Sequence, residues 1–135
     1  MRKFGLGLIL ASPLAIAADG SWSNQSFGGT LTHGQQVLIS KPVQSASPLP
    51  AGAVASRMNW KISSHGLPPA GFRIRLCSAT RCLLLPGVAG EMALPAGMPA
   101  EGPFRFEYYV KAGGRLDAPL TVLSNQITVS YRHSR

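Results

Sequence analysis

Carboxylates are scarce in this chain of 135 residues, which holds five of them against thirteen lysines and arginines. Asp19, Glu91, Glu101, Glu107 and Asp117 fall in no shared motif, whereas glycoside hydrolysis sets two carboxyl groups across a cleft. The histidines are equally sparse: His33, His65 and His133 lie far from one another and from both cysteines, so no zinc-ligand spacing is present. No G-x-S-x-G elbow occurs, and Ser64-His65-Gly66 is mere sequence adjacency in a loop, not a positioned nucleophile and base. A phosphate-cradling glycine loop is also missing, because Lys111-Ala112-Gly113-Gly114-Arg115 reads as a hairpin turn between strands. Together these absences point away from an enzyme and away from any metal or organic cofactor.

A hydrophobic run long enough to span a bilayer is lacking as well. The charged start at Arg2 and Lys3, the apolar stretch Phe4 to Leu10 and the closing Ala15-Ile16-Ala17 have the form of a secretory signal peptide over residues 1–17. Ser12 and Pro13 interrupt the apolar stretch and polar Asp19-Gly20-Ser21 follows it closely, which argues against stable membrane insertion. Cleavage after Ala17 leaves residues 18–135, one domain by length, in a protein that works outside the cytoplasm. The exported part keeps eleven basic residues against five acidic ones, a net charge of +6 with histidine neutral. Such an excess suits lipid head groups, acidic polysaccharide or an acidic protein surface. Lys41, Arg57, Lys61, Arg105, Lys111 and Arg115 are scattered singly, which also fits plain solubility, and the lack of a basic block excludes nucleic acid as a partner.

Only two cysteines occur, Cys77 and Cys82. In an oxidising compartment so close a pair is expected to form a disulfide. The ring it closes is short, so the bridge is a local staple. Thioredoxin-like chemistry uses two residues between its cysteines beside a βαβ unit, and here four residues intervene.

Proline and glycine are plentiful, and they cluster at Ser40 to Gly52 and Pro86 to Pro103, which read as loops. Between the loops apolar residues recur at every second position. Val54, Met58, Trp60 and Ile62 alternate with Arg57, Asn59 and Lys61; Phe72, Ile74 and Leu76 alternate with Arg73 and Arg75; Phe104, Phe106, Tyr108 and Val110 alternate with Arg105 and Glu107. Each is a half-buried strand. Fainter strands are expected at Gly29 to His33, Gln36 to Ser40, Cys82 to Leu85, Leu120 to Leu123 and Gln126 to Arg132. No helical period emerges. The fold class is therefore all-β, a single-domain antiparallel β-sandwich, with a partly open β-barrel as the alternative. Phe72 to Leu85 reads as a hairpin with the cysteines facing each other beside its turn, and Trp60, Phe72, Phe104 and Phe106 are placed as core aromatics.

The series Trp60, Pro69-Ala70-Gly71-Phe72-Arg73-Ile74-Arg75-Leu76-Cys77-Ser78, Thr80-Arg81-Cys82, Gly113-Gly114-Arg115-Leu116 and Ser124-Asn125-Gln126-Ile127-Thr128-Val129-Ser130-Tyr131-Arg132 resembles the flagellar FlhE family. The resemblance implies a periplasmic accessory of the flagellar type III export apparatus, limiting proton leak through the gate or acting chaperone-like towards flagellar subunits. It implies export-gate, rod or hook components as partners. A β domain without catalytic groups accords with a binding module, and a sandwich with exposed edges can take up an extended segment by strand addition. Tentative partner contacts are Arg73 and Arg75, opposite the core-facing residues of their strand, and Arg81 on the hairpin turn; cross-strand pairing, for instance with Glu107, is their structural alternative. Two other classes stay open: a periplasmic inhibitor projecting Arg81 into a target cleft, and a carrier holding a small apolar ligand between the sheets.

Overall fold

A computed structural model describes residues 20–133 apart from residue 96; residues 1–19, with the expected leader, and residues 134–135 lie outside it. Nine antiparallel strands follow one another among the described residues: β1 (Gly20–Ser26), β2 (Gly29–His33), β3 (Leu38–Ile39), β4 (Ala53–His65), β5 (Phe72–Cys77), β6 (Cys82–Leu85), β7 (Ala89–Ala93), β8 (Arg105–Val110) and β9 (Arg115–His133). They form two sheets that do not close into a barrel. In the larger, β9 is the axis: β1 and β2 pair with successive halves of one side, β4 runs along the other, and β7 edges β4. The smaller sheet has the order β3-β8-β5-β6. The architecture is thus the sandwich and not the barrel.

The alternation read from the sequence explains why the sheets face each other. Met58, Trp60 and Ile62 of β4, with Val122, Ile127 and Val129 of β9, meet Ile74 and Leu76 of β5 and Phe104, Phe106 and Tyr108 from the other layer in one buried cluster. Each such side chain contributes about 1.5 to 3 kcal/mol by leaving water. Trp22 stacks on Phe104 at 6.3 Å and sends its indole N–H to the Ala100 carbonyl, 2.7 Å away. Trp60 donates to the Gly87 carbonyl at 2.8 Å, and its ring lies so close over Gly90 that any β-carbon there would collide with it. The turn from β8 to β9 uses Gly114 at φ 95°, a left-handed conformation that glycine adopts without strain.

Four sequence expectations change. Pro86 to Pro103 is not all loop, since β7 lies within it, held by pairing with Arg57 to Lys61. The polar stretch after Asp19 is a strand, β1, in register with β9 from Gly20 opposite Tyr131 to Ser26 opposite Asn125. The segments Leu120 to Leu123 and Gln126 to Arg132 are one strand, continuous through Ser124-Asn125. Val54 is exposed, because a bulge between Ala55 and Arg57 reverses the inward parity and turns Ala55 to the core. A second bulge drops Leu123 from the β4 pairing, so that β9 buries Leu120 and Val122 before it and Asn125, Ile127 and Val129 after it.

Candidate functional site

Strand β5 places the site. With Phe72, Ile74 and Leu76 directed inward, Arg73, Arg75 and Cys77 fall on the outer face of the smaller sheet. Register then chooses their neighbours: Arg73 stands opposite Tyr109, Arg75 between Leu84 and Glu107, and Cys77 between Cys82 and Arg105. Ile39 lies beyond Glu107 on β3. The face is a strip of arginines mixed with exposed apolar side chains, Ile39 at 53% and Leu84 at 59% exposure.

Glu107 is the carboxylate at its centre. Its Oε1 accepts from Arg75 Nη2 at 2.8 Å and its Oε2 faces Arg105 Nη2 at 3.6 Å, while the Arg75 guanidinium also lies 4.9 Å from the Tyr109 ring centroid. Arg75 is therefore held by cross-strand pairing. Arg73 donates to its neighbour's carbonyl, Phe72 O, at 3.1 Å. Arg81 is exposed on the four-residue turn, which is closed by Ser78 N–H donating to the Arg81 carbonyl at 2.7 Å. The three arginines line a strip the length of β5 and do not converge on one point.

The sulfurs of Cys77 and Cys82 are bonded at 2.07 Å, at directly opposed positions of β5 and β6. The Glu107 carboxylate lies within 4.8 Å of both sulfurs. Bonded to each other, they offer no thiolate to a metal, and Glu107 is engaged by arginine. Ser64 Oγ donates to the Gly66 carbonyl at 3.0 Å instead of turning to His65, so the geometry of a nucleophile and its base is not assembled there. Where β6 ends, an open apolar groove of about 380 Å³ is lined by Pro68, Pro69, Phe72, Leu84, Pro86 and Val88 among others. Among the described residues no helix is long and apolar enough to cross a membrane.

Residues 28–132 match the family model "Flagellar protein FlhE". The chain belongs to the FlhE family. A flagellar protein FlhE of Salmonella typhimurium is 36% identical over 132 residues, covering 98% of this chain and 100% of its own length. Its counterpart from Escherichia coli K12 is 37% identical over 126 residues, with 92% and 95% covered. The Yersinia enterocolitica FlhE is 32% identical over 130 residues, with 96% and 91% covered. Among solved structures, a crystal structure of FlhE superposes with a TM-score of 0.77 at 38% identity, covering 87% of this chain and all of that one.

The structure gives the S-N-Q segment of this FlhE chain a physical reading that the sequence did not disclose. Asn125 is fully buried and its Nδ2 donates to the carbonyl and hydroxyl of Ser26, fastening the end of β1 to β9 at the bulge. Arg105, Tyr109, Ile39 and Leu84 join the candidate face without having been singled out. Alternation already put Arg105 on an outer surface, but only the pairing of β8 with β5 brings it to the arginine strip.

Proposed function

We propose that this chain is a non-enzymatic periplasmic accessory of flagellar export, acting on the export-gate, rod or hook components either by limiting proton leak or by chaperone-like binding of subunits. The observation that carries the reading is the match to flagellar FlhE relatives along nearly the whole chain. The disulfide supports a place outside the cytoplasm. The outer face of the smaller sheet is the contact surface in this reading, with Arg73 and Arg81 meeting the partner and Arg75 holding Glu107 in place.

A deletion strain is expected to build flagella but to misplace subunits in the periplasm or to admit protons while the flagellar system is expressed. Complementation with Arg73→Ser and Arg81→Ser together is expected to be weakened at normal protein levels. Normal secretion and normal pH homeostasis in the deletion strain would overturn the function; full complementation by the folded double variant would discard this face.

A further inference from the structure

The edges of the two sheets are not equally protected. β7 carries Glu91, paired with Arg57 at 2.7 Å. β1 is polar, and the segment after β3 covers it through Asn24 Nδ2 to the Gln44 carbonyl and Ser26 Oγ to the Lys41 carbonyl. β3 has two residues. β6, Cys82-Leu83-Leu84-Leu85, has no charge and exposes Leu84. Short, charged or covered edges are how sheets resist foreign strands, and of these devices the described residues give β6 only its shortness.

Its backbone is also oriented for pairing. Antiparallel partners alternate between bonded and non-bonded pairs. Because Ser78 and Arg81 bond across the turn, Cys77 with Cys82 is a non-bonded pair, Leu76 with Leu83 a bonded one, and Arg75 with Leu84 again non-bonded. The N–H and C=O of Leu84 therefore point away from β5, to the open side of the sheet.

We propose that β6 is an acceptor edge, to which an extended segment of a partner protein, with carboxylates spaced between apolar residues, adds as a fifth strand of the smaller sheet. Charge chooses the occupant. Arg73, Arg75 and Arg81 flank β6, and the strands of the smaller sheet carry one carboxylate, Glu107, which pairs with Arg75 and faces Arg105. A strand on β6 runs about 10 Å from β5, a distance that an arginine and an acidic side chain span between them. The groove at the end of β6 receives one apolar side chain of the segment. A second copy pairing through β6 would set two cationic faces side by side, which disfavours it. The proposal rests on the reading of this protein as a binding module and names the partner's chemistry.

The test uses the mature protein and two capped eight-residue peptides, one alternating valine with aspartate and one alternating valine with lysine, followed by fluorescence anisotropy and amide hydrogen exchange. The aspartate peptide is expected to bind about tenfold tighter at low salt and to slow exchange at Leu84. Leu84→Pro removes the outward N–H without touching the β5 bonds and is expected to abolish binding. Leu84→Asp, which keeps the backbone and repels the peptide, carries the test should the proline variant not fold. Equal affinity for both peptides, protection at β1 or β7 in place of β6, dimerisation on raising protein concentration, or no response at Leu84 up to millimolar peptide would each overturn the proposal. In cells, full export by Leu84→Asp discards the edge and leaves the flagellar function standing, whereas a deletion without phenotype discards the function itself.

Discussion

Tyr108 carries a hydroxyl that the core buries with no hydrogen-bond partner among the described residues, and burial pushes its pKa well above the ordinary value of about 10. The neutral form is favoured by the fold, so its stability is fully present below pH 10 and is lost as the pH rises beyond that value. Tyr108→Phe is expected to raise stability by about 1 kcal/mol at neutral pH, since an unsatisfied polar group leaves the core. It should also shift alkaline unfolding upward in a denaturant series run between pH 9 and 11; a lowered midpoint at pH 9 would show that the hydroxyl has a partner, and an unchanged one at both ends that it is not buried. Trp60 is the opposite case, 3% exposed and packed over Gly90. Trp60→Ala should lose about 3 to 5 kcal/mol in urea unfolding, and a near-neutral value would move the indole out of the core. At this scale the sequence was legible wherever alternation ran unbroken, as at Phe104, Phe106 and Tyr108. It misled at Val54, because a bulge is a property of two paired strands and leaves no mark in one of them.

The hairpin β5-β6 was legible from local residues alone: alternating side chains, a polar turn and two cysteines in facing positions. β1 and β7 were not. β1 is a run of glycine, serine, asparagine and glutamine with a single buried tryptophan, and β7 holds alanine, glycine, glutamate and one methionine, so neither offers a strong intrinsic strand preference. Both exist because a long neighbour supplies a ladder to pair with, β9 for one and β4 for the other. The arginine strip was half legible for the same reason: alternation set Arg73 and Arg75 outward, but their pairing with Tyr109 and Glu107 depends on which strands lie side by side. The disulfide belongs to the local class. Replacing Cys77 and Cys82 together with alanine should lower stability by only about 2 kcal/mol and leave the β signal in circular dichroism, because the closed ring is short. Collapse of that signal would mean that the hairpin organises more than its own turn.

For the molecule as a whole, the expected leader makes one direct prediction: intact mass of the exported protein should place its first residue at Ala18, and a product retaining Met1 would refute it. The larger sheet is built by strands that return to partners far away in sequence, β1 pairing with β9 across nearly all of the described residues, and the shared core joins it to the smaller sheet. Order of synthesis gives this topology a further meaning. β9, at 19 residues, is the last strand among the described residues and the axis on which β1, β2 and β4 assemble. Until residues 115–133 have emerged, β1, β2 and β4 have no axis to pair with, although the smaller sheet contains no part of β9. A chain ending at Gly114 should accordingly show no cooperative unfolding and rapid proteolysis; a protease-resistant β fold in that truncation would refute the point. With its axis strand the last among the described residues, the larger sheet cannot close until β9 is free to pair, and in the exported protein proposed above this would keep the polypeptide threadable for as long as it must be threaded.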